Sequence, residues 1–322
     1  MRRTLALAVA FFLPVVAADA QQAATVHRIG VLLHHGAPPG FLEAFRAGLH
    51  DLGYLEGKNI ALELRNAEGK SDRLAALADE LVRLRVDLIV ALNTPAALAA
   101  KKATAAIPIV IARVTDPVSS GLVSSLARPG GNVTGLSFNN SELAVKGLQL
   151  LRDALPGVSR VGVLSDAGNP AHTPQVAALE SASGQLGLKL HSMLLRGSND
   201  LPAAFQAAAR AHDEALFVLD DTALTRQRGE ILKRATAHSL PVVARYKDFA
   251  DAGGLIAYGP NLPAVYRRAA YYSDRLLRGA RPSDLPLEEP SQFDLVVNLR
   301  TARALGLSIP PAVLLSATHV IE

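Results

Sequence analysis

Asp220 and Asp221 stand side by side after an apolar run, where two carboxylates could share general acid and base work. On an extended segment neighbouring side chains point to opposite faces, so at most one of the two should face a common site. His34-His35 could begin a metal centre. Zinc takes three or four ligands in fixed geometry, and no cysteine, HxxxH pair or acidic helix motif completes the set. The stretch Gly53-Tyr54-Leu55-Glu56-Gly57-Lys58-Asn59 has the outline of a phosphate-binding loop. It is one residue short between its glycines, Asn59 stands where magnesium needs a hydroxyl, and it follows a helix rather than a strand. A helix-to-strand turn is the better reading. Gly130-Gly131 could cradle an anion on backbone amides, but a tight turn is favoured, since glycine serves wherever φ is positive. There is no G-x-S-x-G elbow and no nucleophile with a convincing base. No catalytic residue, metal site or cofactor is therefore expected.

The elements that carry these residues alternate between strand and helix. Residues 28–33 form an apolar run, and Phe41, Leu42, Phe45, Leu49 and Leu52 recur at helical spacing. Residues 60–64 alternate as a strand, and Ser71 is a candidate N-cap for a helix through Leu84. Residues 87–92 and 108–112 read as buried strands, with Asn93-Thr94-Pro95 and an alanine-rich helix between them. The rhythm resumes with strands at 160–164, 188–194, 215–219 and 241–244, and helices at 174–186, 202–211 and 222–239. A polar, glycine-rich stretch, 128–140, separates the two runs. Apolar strands alternating with helices imply parallel βαβ units. The fold class expected is α/β, with two doubly wound Rossmann-like lobes. Ligands of such sheets bind beyond the carboxyl ends of the strands. The segments to read are therefore His34-His35-Gly36, Asn93-Thr94-Pro95, Arg113 to Pro117, Asp166 to Asn169, Asp220-Asp221-Thr222, Tyr246 and Tyr258-Gly259.

The chain has 322 residues and a formal net charge of +4. Arg2-Arg3, an apolar run over 5–18 and Ala18-Asp19-Ala20 make the pattern of a cleaved signal peptide, residues 1–20. The apolar run is too short for a membrane span, which needs about 20 residues. Without a cysteine there is no disulfide, no thiolate metal site and no site for a lipid anchor after the leader. An exported, unanchored product of this kind is expected in a Gram-negative periplasm. Positive charge is spread out rather than gathered in a run, so nucleic acid is not an expected partner.

The loops and core together resemble the ABC-transporter substrate-binding family that includes tryptophan- and tyrosine-binding proteins. The matching stretches are Phe45-Arg46-Ala47-Gly48-Leu49, Gly53 to Ile60, Asp72-Arg73-Leu74, Ile107-Pro108-Ile109-Val110 and Asp116-Pro117-Val118. Leu126-Ala127-Arg128-Pro129-Gly130-Gly131-Asn132-Val133-Thr134-Gly135 is the most distinctive. Ala252 to Leu255, Tyr258-Gly259, Asn298 to Ala302 and Ala304 to Leu307 complete the set. The resemblance implies a type I periplasmic binding fold with three chain crossings, placed near Phe138, Gly259 and Leu287. Lobe one would be 27–137 plus 260–285, and lobe two 138–259 plus 286–322. The loop holding His34-His35 and the residue Arg113 depart from many relatives.

The resemblance further implies a small-molecule solute held between the lobes, amino acids first among the classes, and an ABC permease as partner of a monomer. A ligand-binding sensory subunit is the alternative, and an enzyme on the same fold a more distant one. The residues suit a zwitterion. Thr94, at the start of an alanine-rich helix, offers amides and a positive dipole end to a carboxylate, and Thr115 adds a hydroxyl. Asp220 is expected to take the ammonium, with Asp116 second, although Asp116 before Pro117 is equally a turn starter. Tyr246 and Tyr258 would wall the side chain, Tyr258 being equally a hinge-core residue. Asn169 and His34 would close the rim. Loss of Asp220 is then expected to weaken amino-acid binding by about a hundredfold or more and to spare the unliganded fold.

Overall fold

The computed structural model describes residues 26–35, 37, 40–169 and 171–322, and the expected leader lies outside them. The first sheet holds β1 (His27–Leu33), β2 (Ile60–Asn66), β3 (Leu88–Leu92), β4 (Ile109–Thr115) and β5 (Val133–Phe138), in the order β2-β1-β3-β4-β5. All its pairings are parallel. Helices α1 (Phe41–Asp51), α2 (Arg73–Arg83) and α3 (Thr94–Ala103) cover it, and α4 (Asn140–Ala154) opens the second unit. The second sheet holds β6 (Arg160–Asp166), β7 (Lys189–Leu195), β8 (Ala215–Val218), β9 (Val242–Ala244), β10 (Ile256–Pro260), β11 (Phe293–Asn298) and β12 (His319–Ile321). Its order is β12-β11-β10-β9-β8-β6-β7, and only β10 with β11 is antiparallel. Helices α5 (His172–Ser183), α6 (Leu201–Ala211), α7 (Thr222–Arg226), α8 (Arg228–Ala237) and α9 (Lys247–Asp251) connect its strands. Then come α10 (Leu262–Leu277), α11 (Leu299–Ala304) and α12 (Pro311–Ser316). Each lobe thus repeats one doubly wound order, with switch points between β1 and β3 and between β6 and β8.

The strands read most easily are the wholly buried ones: every residue of β3 and β8 is hidden. β5 falls inside the stretch expected to be a separator. Its six residues are all buried, including Thr134 and Ser137. Thr134 Oγ1 donates to Leu285 O at 2.7 Å, so a polar side chain is satisfied at no cost to the strand. Gly130 and Gly131 before it both have φ of 68°, the turn geometry expected of them. The helix placed over 222–239 is broken at Gln227 into α7 and α8.

The chain passes from the first sheet to the second after β5 and returns after β10. There α10 packs on α1: Val265, Tyr266, Ala269 and Ala270 join Phe41, Phe45 and Leu49 in one apolar cluster. Gly48 permits the approach, since a Cβ there would stand 2.8 Å from Ala270 Cβ and 3.1 Å from Arg267 Cα. The last passage follows residues that still pair with the first sheet. Leu287 N donates to Leu126 O and Glu288 N to Gly135 O, and Ser137 N donates to Glu288 O. Residues 286–288 therefore extend the edge of β5, and the chain reaches the second sheet only by Phe293.

Candidate ligand-binding site

A cavity of about 1130 Å³ lies where the carboxyl ends of the two sheets face each other. Of the eight residues singled out in the sequence, His34, Thr94, Thr115, Asp116, Asn169, Asp220 and Tyr246 line it. Tyr258 does not. It belongs to β10 and stacks on Phe293 at 5.9 Å between ring centres, inside the second lobe.

The walls from the first lobe are shaped by unusual backbone. Asn93 has φ 111° and ψ 163°, a region that side chains rarely adopt and that costs about 1–3 kcal/mol. There its Oδ1 accepts from Ala96 N at 3.1 Å and caps α3. The pairing of β4 with β5 slips between Ile111 and Val114, a bulge in which Arg113 takes φ of 59°. Bulges re-aim side chains, and Arg113 lines the cavity. Asp116 also has positive φ, at 53°. Its carbonyl accepts from Ser119 Oγ and Ser120 N, so its backbone organises the turn while its carboxylate lies exposed at the rim.

Across the cavity, Asp220 and Asp221 follow β8. Asp221 caps α7, accepting from Ala223 N and Leu224 N, and takes Asn169 Nδ2 at 2.9 Å. Burial raises its pKa, against those hydrogen bonds. Asn169 is thus held within its own lobe. Asp220 accepts the Tyr246 hydroxyl at 2.8 Å. Two guanidinium groups flank it, Arg113 at 3.7 Å and Arg245 at 3.9 Å. Arg245 is fastened in turn to the Asn140 side chain and carbonyl, and Asn140 Nδ2 donates to Thr115 Oγ1 at 2.6 Å. Burial opposes the charge of Arg113, but the oxygens of Tyr246, Tyr266 and Asp220 outweigh it and hold the guanidinium charged. Burial pushes the Tyr246 hydroxyl up, well clear of ionisation, so it remains a donor.

At the mouth, Ser71 Oγ meets His34 Nε2 at 2.9 Å instead of capping α2, whose N-cap is Asp72. Burial lowers the pKa of His34, and burial with the neighbouring His34 pushes His35 down to about 4. These two imidazoles are uncharged at neutral pH and offer hydrogen bonds rather than charge. Arg226 of the opposite lobe donates to His35 O at 2.7 Å. Arg113 NH2 crosses the cleft to Tyr246 OH at 3.3 Å, with the guanidinium 5.0 Å from the ring centre.

The sequence profile of the ABC transporter substrate binding protein family matches residues 28–321. The chain belongs to this family. It is therefore a solute-binding protein by kind. A tyrosine-binding protein of Clostridioides difficile is 28% identical over 280 residues, 87% of this binding protein and 80% of the relative. An ABC domain from Streptococcus pneumonia, solved with L-Trp, is 26% identical with a TM-score of 0.84, covering 92% of this chain and 100% of that one. The ligand-free, open structure of a substrate binding protein from Clostridium difficile is 28% identical with a TM-score of 0.73, covering 92% and 99%. Identity to the two is nearly equal, yet the binding protein overlays better on the liganded one. Arg226 and Arg113 are both bonded across the cleft, so the two lobes are in direct contact there.

Asn140, which lines the cavity, and Arg245 and Tyr266, which adjoin Asp220 and Arg113, are residues that loop reading did not assign. Tyr266 lies on α10, fully buried, with its hydroxyl free of partners among the described residues. Gly259 was a signal for Arg245. A Cβ at Gly259 would stand 2.6 Å from both Arg245 Cγ and Arg245 O, so a glycine is needed where the arginine stem passes.

Proposed function

We propose that the mature chain is the solute-capturing component of an ABC importer, acting in the periplasm as a monomer. Its two lobes close on an amino acid or a related carboxylate and present the closed form to a membrane permease. The observation that carries this reading is the interlobe cavity, walled by strand-end loops of both sheets and bridged by bonds between them. The L-Trp complex and the tyrosine-binding relative support the ligand class. A ligand touching both lobes favours the closed form by its extra contacts, and the three crossings are the hinge.

The test is a thermal-melt screen of the mature protein against amino acids, aromatic acids, sugars and nucleosides. At a hundredfold excess over Kd a true ligand stabilises by about 2.7 kcal/mol. Small-angle scattering should then show a smaller radius of gyration with that ligand. An unchanged radius at saturation would sink the clamp. A best hit among sugars or nucleosides would remove the ligand class.

Export is part of the same proposal. Cleavage after Ala20 is expected, releasing a chain that begins at Gln21. N-terminal sequencing of the periplasmic fraction checks it, and a product that keeps Met1 in the membrane fraction would contradict it. Among the described residues no helix is long and apolar enough to cross a membrane.

A further inference from the structure

The groups that the sequence offered to a zwitterion are largely engaged elsewhere. In the first turn of α3, Pro95 has no N–H, Ala96 N is taken by Asn93 Oδ1 and Ala97 N by Asn93 O. That leaves Thr94 N. The hydroxyl of Thr115 accepts from Asn140 at 2.6 Å, and that of Thr94 leans towards Thr115 O at 3.5 Å. Asp220 already receives the Tyr246 hydroxyl and faces two guanidinium groups. The cluster of Arg113, Arg245 and Asp220 carries more positive than negative charge. An ammonium brought to Asp220 would meet that excess.

Arg113 is in the opposite position. A guanidinium has five N–H donors, and among the described residues this one makes a single hydrogen bond, to Tyr246 OH. Its ion pair with Asp220 is long, at 3.7 Å. The side chain is only 20% exposed, and it lines the cavity. A covered, charged fork with unused donors matches a planar oxyanion with two acceptor atoms, and Arg suits that geometry better than Lys. The bulge of β4 and the left-handed backbone of Arg113 aim it there.

We propose that Arg113 reads a carboxylate on the solute, and that Asp220 and Tyr246 are positioning residues for it rather than the ammonium's partners. This rests on the reading of the cavity as a site for amino-acid-like solutes, and narrows it. The defining group is the carboxylate, and the α-amino group is dispensable. The carboxylates of Asp116 and Asp248 also line the cavity, with no side-chain hydrogen bond among the described residues. Asp116 is exposed, so an ammonium that reaches it gains little.

Calorimetry on the mature protein tests this with three probes for each of two side chains: L-tyrosine and L-tryptophan, their carboxamides, and the corresponding propionic acids without the amino group. On the wild type each carboxamide is expected to bind about a hundredfold more weakly than its acid. The des-amino acids should stay within about tenfold of the amino acids, as befits a screened ammonium contact. In Arg113→Gln the acid and its amide should bind alike, which a merely structural role of Arg113 would not produce. Arg113→Lys keeps the charge without the fork and should retain part of the preference. An acid-to-amide ratio unchanged in Arg113→Gln overturns the inference and leaves the proposed function standing. So does binding of the amino acids without their des-amino analogues. Failure of the wild type to bind any of these carboxylates overturns the inference and the ligand class together.

Discussion

Asp220→Ala is expected to lower the stability of the unliganded protein by about 3 kcal/mol, the low end for removing one partner of a buried charge pair. The low end applies because the ion pairs are long and Asp220 is 10% exposed. The sequence alone led to the opposite expectation, a loss of binding with the fold spared. The difference lies in what Asp220 touches. Its removal deprives Tyr246 OH of an acceptor and leaves Arg113 and Arg245 facing each other without a counter-charge. Arg245 is 6% exposed and cannot turn to water. Asp220→Asn keeps an acceptor for Tyr246 and removes only the charge, so its cost should be smaller, about 1–2 kcal/mol. Urea denaturation of the two variants, without ligand, gives the answer. Wild-type midpoints for both, with affinity for amino acids lost, would restore Asp220 to the role of ammonium partner.

The sequence shows which residues meet at the cavity better than what their groups are free to do. Position relative to strand ends is a local property, and it brought seven of eight residues to the cavity wall. Tyr258 does not reach the cavity wall, because β10 runs on to Pro260, two residues past it, and its side chain packs among Leu295 and other lobe-two residues, in keeping with the core role held open for it. Pairing across the molecule is not local. Nothing near Ser71 in the chain announces that its hydroxyl meets His34. The alanine-rich helix after Thr94 promised amides, and one asparagine with a strained backbone takes two of them, leaving Thr94 N. The lobes themselves were legible from apolar strands, but β5 was not. Thr134, Gly135 and Ser137 dilute its hydrophobic signal, and their burial is possible only because residues 285–288 return to satisfy them.

Gly135 ties the strand that was hardest to read to the residue that most shapes the site. It lies on β5 opposite Ile111, at φ 128°, where the β4 register begins to slip towards Arg113. A Cβ there would stand 2.2 Å from Ile111 O and 2.7 Å from Ile111 N. Both atoms are backbone, so no side chain can swing aside, and β4 and β5 must separate. Gly135→Ala therefore combines backbone strain of about 1–3 kcal/mol with overpacking of about 1–3 kcal/mol. A total near 4 kcal/mol is expected for the unliganded protein, large among single substitutions. Gly131→Ala is the control: its φ is also positive, at 68°, but a Cβ there meets nothing within 4 Å. It should cost only the left-handed conformation, about 1–2 kcal/mol. The gap between the two denaturation midpoints isolates the clash with Ile111. Separating β5 from β4 also frees the bulge, so whatever fraction of Gly135→Ala folds should lose the acid-over-amide preference attributed to Arg113. Equal midpoints for the two variants would show that the sheet yields at Ile111 and that the bulge is not held by this contact.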